Sequence, residues 1–312
     1  MKTYKILFAA ALAGSLISCG GAKPADETKK DGTDTTASTK DATKEDGPKV
    51  APLEKGKFPF EFPVVEKISA AAGDNVFAVN MKLVTNDYNA GKKSFGTQYL
   101  LYTLSEPGEK ESKVKFVSDE VVPNSGIVVI PKGQTAKVGD IVAGKWAVNL
   151  TRGIVTNASN PKAPKVTFIG LSWDNPAKAE DKKTGIGQFE YTLKENEFMV
   201  ISKDFDPGTS CAVKKDGAWK YMNVFKAEGD MVMGTIFVEF TAVKKSDCVA
   251  IPLKSNFKVG DSVYAPWVGS MSKGKITNVN AKMGRYTVKF DEGSKGENVV
   301  SFGDVIKDLP KQ

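Results

Sequence analysis

The sequence has 312 residues, 41% of them apolar and 26% charged, the balance of an ordinary globular chain. It contains no histidine and only three cysteines, which removes imidazole bases, Ser-His triads and the usual zinc ligand sets. The formal charge of +7 comes without a dense arginine cluster, so the lysines read as a solvated surface and nucleic acid is not an expected partner.

In chain order, the first element is a short basic segment, Met1 to Lys5, followed by an apolar run of 12 residues from Ile6 to Ile17. Such a run suits a secretory signal and is too short to span a bilayer as a helix. It ends in Leu16-Ile17-Ser18-Cys19-Gly20. That order of a large aliphatic, a small residue and cysteine resembles the lipobox of bacterial lipoproteins. The resemblance implies a signal peptide over residues 1–18 and a lipid-bearing Cys19, with diacylglycerol on sulfur and an acyl chain such as palmitate on the amine. Several acyl chains would hold the chain stably at a membrane. Gly20 and Gly21 do not match the aspartate signal that retains enteric lipoproteins at the inner membrane, so the resemblance implies the outer membrane, on its surface or periplasmic face.

Residues 19–57 are expected to form a disordered tether. Between Lys23 and Lys49 lie six lysines and seven acids with almost no large apolar side chain, too little hydrophobic surface to fold.

From Phe58 onward the pattern changes to short alternating runs bounded by Gly, Pro, Asn and Asp. Asn75–Val79, Gln98–Tyr102, Lys113–Val117 and Tyr286–Phe290 each alternate with period two and carry β-branched or aromatic residues, the signature of half-buried strands. An internal repeat joins distant parts of this region. Lys137-Val138-Gly139-Asp140 recurs as Lys258-Val259-Gly260-Asp261, and at the same offset Trp146 meets Trp267 and Val155-Thr156-Asn157 meets Ile276-Thr277-Asn278. Nine of the 21 positions from 137 to 157 are identical to their counterparts, which points to duplication. The repeated Gly-Asp-x-Val, tryptophan and Gly-x-Ile-Thr-Asn pattern resembles Tudor- or SH3-like barrels. The expected fold is therefore all-β, a tandem of small barrels. The expected units run from 58 to 173 and from 185 to 312, with a polar linker at 174–184. Each unit has room for two barrels, one starting at Gly73-Asp74 and another around Lys215–Lys220 and Glu228–Val232.

Three groups of residues invite a chemical reading. Cys211 and Cys248 remain once Cys19 carries lipid, and outside the cytoplasm they are expected to pair as a disulfide, two free thiols being the alternative. Tyr264, Trp267, Tyr286 and Phe290 offer the rings of an aromatic ligand-binding cage, but rings of this kind also fill small barrel cores. The first copy favours core filling, because Ala143 stands where the second has Tyr264. Asp291 and Glu292 are adjacent acids before Gly293, better suited to a turn than to acid–base work. No catalytic residues, metal site or cofactor are expected. The expected role is a non-enzymatic envelope lipoprotein whose barrels meet a protein or polysaccharide partner, or else a structural protein associated with peptidoglycan.

Overall fold

The computed structural model describes residues 51–169, 190–281 and 283–310. The signal segment, Cys19, most of the tether and the linker expected at 174–184 lie outside the described residues.

Nineteen strands in the described residues build four small barrels. Barrel one comprises β1 (Asn75–Val79), β2 (Tyr99–Glu106), β3 (Glu111–Lys115), β4 (Asp119–Pro123) and β5 (Ile127–Val129), with helix α1 (Met81–Asn89) between its first two strands. Barrel two follows with β6 (Ile141–Trp146), β7 (Asn149–Asn157), β8 (Lys165–Phe168), β9 (Glu190–Thr192) and β10 (Phe198–Val200). Barrel three comprises β11 (Ser210–Lys215), β12 (Ala218–Glu228), β13 (Met231–Ile236), β14 (Glu239–Lys244) and β15 (Cys248–Ala250). Barrel four has β16 (Ser262–Trp267), β17 (Ser270–Asn280), β18 (Arg285–Phe290) and β19 (Glu297–Ser301), and an isolated bridge from Tyr264 to Ile306 closes it. In barrels one to three the first strand pairs with both the second and the fifth, and the second, third and fourth follow as a meander. This is the strand order of an SH3-like barrel, and the all-β tandem expected from the sequence is what the chain forms.

One local device recurs in all four. A glycine two residues before the first strand takes a left-handed φ: +92° at Gly73, +87° at Gly139, +85° at Gly208 and +96° at Gly260. A side chain is disfavoured in that conformation, hence the glycine. The amide of this residue donates to the second strand, at Leu104, Val155, Val224 and Ile276 respectively, over 2.8–2.9 Å. Each second strand then carries a bulge immediately after that residue. The aspartate of the Gly-Asp motif caps the turn, Asp140 Oδ2 accepting from Lys137 N at 2.7 Å and Asp261 Oδ2 from Lys258 N at 2.8 Å. Barrel three lacks this aspartate and uses Asp206 instead, which accepts from Ser202 N and Lys203 N. That substitution is why its start is not visible as a repeat of the motif.

The barrels associate in two pairs. Strands β2 and β7 meet at Leu100 and Asn149, fusing barrels one and two into a ten-stranded sheet, and β12 and β17 meet at Lys220 and Ser270 in the nine-stranded sheet of barrels three and four. β9 and β10 complete barrel two, so strands after position 185 belong with the first sheet. The pairs also share cores: Phe225, Met233 and Phe240 of barrel three pack into the buried cluster of barrel one, and Tyr99 stacks on Phe225 at 4.8 Å. The described residues accordingly fall in one compact unit.

Residues 51–57, expected in the tether, are among the described residues. Leu53 is half-buried against the core of barrel one, and its amide donates to Asn89 Oδ1 at 3.2 Å. An apolar side chain within reach of a barrel face docks there even inside a polar run.

Candidate binding cleft

A concavity forms where an aromatic strap crosses barrels one and three. The strap begins Phe58-Pro59-Phe60-Glu61-Phe62 and has no regular secondary structure. Phe58 and Phe60 meet Phe240 of barrel three, with ring centroids at 5.8 and 4.8 Å, and Phe62 meets Phe58 edge-on at 6.3 Å. Buried Asn124 fastens the strap downstream, its Nδ2 donating to the carbonyls of Glu66 and Gly108 while its Oδ1 accepts from Ser112 Oγ. Between strap and barrels lies a cleft of about 800 Å³, with Phe58, Phe60, Phe62, Pro63, Pro123 and Met231 as its apolar lining and Lys110, Asp230 and Lys244 among its polar residues. Such a volume and lining suit a ligand held mainly by apolar contact with a few polar anchors. Phe58 marks the start of the folded part in the sequence. The alternation of three phenylalanines was the available signal for the cleft, but their partner, Phe240, is remote in the chain.

The four candidate cage residues do not assemble into a cage. Tyr286 is buried in the core of barrel four, its hydroxyl donating to Ser255 O at 2.8 Å. Phe290 is buried in the same core, and half-buried Trp267 meets it edge-on at 5.2 Å. Tyr264 lies on the other face of β16, among Ala212, Ile251, Met271 and Ile306. The cause is the pleat: Val263, Ala265 and Trp267 share the core face, so Tyr264 must point away from it. Three of the four rings are core or core-packing residues, as the comparison of the two copies favours.

Cys211 and Cys248 are brought together but carry free thiols. They sit on paired strands β11 and β15 and pack in one core cluster. The hydrogen bond between the two thiols raises the pKa of Cys211, with burial adding to the effect, and lowers that of Cys248. Asp291 and Glu292 form a bend before the short helical turn Gly293–Lys295, and Glu292 pairs with Lys295 at 2.8 Å.

A buried polar cluster at the junction of barrels two, three and four had no signal in the sequence. Arg152 of barrel two donates through Nη1 to Ser210 Oγ and Gly303 O at 3.0 Å and through Nη2 to Asp304 Oδ1. Ser210 Oγ and the Tyr221 hydroxyl donate to the same Asp304 oxygen at 2.9 and 2.7 Å. Burial alone would lower the Arg152 pKa, but Asp304 and Tyr221 outweigh it and the net shift is upward. Arg285 stands beside this cluster and reaches from barrel four to the carbonyls of Ile169 and Phe168 at 2.8 and 2.9 Å; burial brings its pKa down to about 10. Apart from Arg152 Nε, which is buried without a hydrogen-bond partner, these groups pair with one another across three barrels, which is the arrangement of a joint.

No known protein family and no curated protein matches the chain. Among solved structures it is similar to the tandem Agenet domains 3–4 of ADCP1, at 17% identity and a TM-score of 0.20, over 33% of this chain and 80% of that one. It is also similar to the AGD34 segment of AGDP1 from Arabidopsis thaliana, at 17% identity and a TM-score of 0.21, over 33% and 82%. The described chain is a tandem of Tudor-like β-barrels, an assignment that the strand order carries by itself.

Proposed function

We propose that the chain is a lipid-anchored, non-enzymatic binding protein of the bacterial cell envelope, held at the outer membrane through Cys19. Its cleft between the aromatic strap and barrels one and three would receive a protein or polysaccharide partner. The observation that carries this reading is the cleft itself, an apolar recess of about 800 Å³ open between two barrels. The lipobox segment supports the location. A paired disulfide at Cys211 and Cys248 fits the same reading, since the two residues lie on neighbouring strands in one core cluster and the envelope is oxidising.

The test is retention of defined matrix proteins and glycans by the immobilised mature chain, repeated with Met231→Trp to fill the cleft. Retention that Met231→Trp lowers about tenfold or more is the expected result, since a filled pocket loses its apolar contact. No retention, or retention indifferent to the substitution, rejects the cleft. A structural role on peptidoglycan is the second reading, and co-sedimentation with purified sacculi that Met231→Trp leaves unchanged would favour it. Protease shaving of intact cells decides which membrane face carries the barrels.

A further inference from the structure

Nine large apolar side chains are exposed among the described residues, and six of them fall into equivalent pairs: Phe116 with Phe237, Val117 with Val238, and Val138 with Val259. Each pair is separated by the same 121 positions that relate the repeated Gly-Asp motifs. Scattered exposed apolar residues are normal on a soluble surface and carry no meaning singly. Exposure that recurs at matched positions of two barrel pairs is not scatter. The two Phe-Val dipeptides have a further property in common: each forms the apex of the hairpin between the third and fourth strands of its barrel, β3–β4 in barrel one and β13–β14 in barrel three. Phe116 and Val117 are 48% and 82% exposed, and Phe237 and Val238 are 62% and 61%. Phe237 also adopts a left-handed φ of +58°, a conformation where glycine or asparagine is the usual choice.

We infer that the Phe116-Val117 and Phe237-Val238 tips are membrane-seating elements that insert between the headgroups of the bilayer to which the chain is anchored. The inference rests on the reading of Cys19 as the lipid-bearing residue. Two observations favour a bilayer as the occupant. First, about 30 residues separate Cys19 from the first described residue, and even a fully extended chain of that length reaches at most about 100 Å. Contact with the bilayer is then intramolecular, so a few apolar side chains too weak to recruit a free protein suffice to seat a tethered one. Second, the carboxylates beside the tips already have partners. Asp119 accepts from Ser105 Oγ at 3.0 Å, Glu120 from Tyr102 Oη at 3.0 Å and from Lys82 N, and Glu239 pairs with Lys215 at 3.1 Å. The tips therefore present apolar side chains flanked by carboxylates held in hydrogen bonds and, at Glu239, one ion pair, and the apolar part of insertion is insensitive to salt.

The experiment holds the mature chain on vesicles of phosphatidylethanolamine and phosphatidylglycerol through an amino-terminal polyhistidine tag and a nickel-chelating lipid, which replaces the acyl anchor. Phe116→Trp and Phe237→Trp are made separately, and lipids brominated on the acyl chain act as quenchers, with the unsubstituted chain as the background. Each added tryptophan is expected to lose about half its emission on brominated vesicles, unchanged in about 0.5 M salt. In the unsubstituted chain, the amides of both tips are expected to exchange more slowly on vesicles than free, which guards against a folding defect in the variants. Absence of quenching and protection at both tips overturns the inference, and an effect at one tip alone overturns the two-point seat. Loss of quenching in salt overturns the apolar mechanism. Protection that appears without vesicles and rises with protein concentration assigns the tips to a second copy of the chain. The anchor is read independently from the mass of the mature amino terminus, so its failure and that of the tips are distinguishable.

Discussion

The seams within the two barrel pairs are built on one plan and finished differently. In the first pair the turn of the β6–β7 hairpin docks on β2, with Leu101 N donating to Val148 O at 3.1 Å. In the second, the β16–β17 turn docks on β12, with Tyr221 N donating to Gly269 O at 3.0 Å. Both turns begin with a left-handed residue, Ala147 at φ +54° and Val268 at +44°. Val148 then packs against the core of barrel one, whereas its counterpart Gly269 lies under Phe237. The two turns share the left-handed first residue and differ at the second, where Gly269 takes φ +74° and Val148 does not, so the side-chain solutions differ with the backbone. In the first seam Val148 of the second barrel packs on barrel one. In the second, Gly269 adds no side chain and passes beneath the base of Phe237, whose ring stays mostly exposed, as does Val268.

The largest effect is expected at the joint between the pairs. Asp304→Ala leaves the buried Arg152 guanidinium without its carboxylate and should lower unfolding stability by about 3–5 kcal/mol, read from denaturant midpoints. Replacing Arg152 and Asp304 together by apolar residues should restore part of that loss. If the single variant costs nothing, the joint does not couple the pairs.

The cysteines exist only in the second pair, so redox state should separate the two. Oxidation of Cys211 and Cys248 is expected to stabilise the chain by about 3–4 kcal/mol over the reduced form, from closure of the loop between them. Thiol titration of the unreduced protein is the check, and two reactive thiols would show that the pair stays reduced.

Gly269→Val copies the first seam into the second. A Cβ at Gly269 would stand 2.8 Å from Phe237 Cβ, and the residue holds a left-handed φ of +74°, so the substitution should cost about 2–3 kcal/mol or more by overpacking and backbone strain together. Adding Phe237→Ala should recover only the part of that cost due to the ring, leaving the backbone strain, and a double-mutant cycle without coupling would refute the seam as described.

The smallest effects test the equivalence itself. Gly139→Ala and Gly260→Ala each place a Cβ in open space at a left-handed φ, so only backbone strain acts. Each should cost about 1–2 kcal/mol, and the two values should agree closely.

Much of the barrel plan was legible in the sequence because its determinants are local. Period-two runs marked β1, β2, β3 and β18, and the Gly-Asp motif marked the turns that open barrels one, two and four. The expected candidate site was less legible. Tyr264 and Trp267 are three residues apart, and the pleat sends them to opposite faces. The strap phenylalanines were visible as a pattern, but nothing local announces that Phe240 completes their cluster.

By itself, the sequence determined the strand periodicity, the glycine-opened turns, the duplication and the absence of histidine chemistry, because each depends on residues within a few positions or on composition. Tertiary structure alone decided that barrels one and three share a core, that the strap walls a cleft, that Arg152 and Asp304 join three barrels, and that equivalent Phe-Val tips stay exposed. Those outcomes depend on which surfaces meet after the strands have formed, and burial is a property of pairs of surfaces that no single segment encodes.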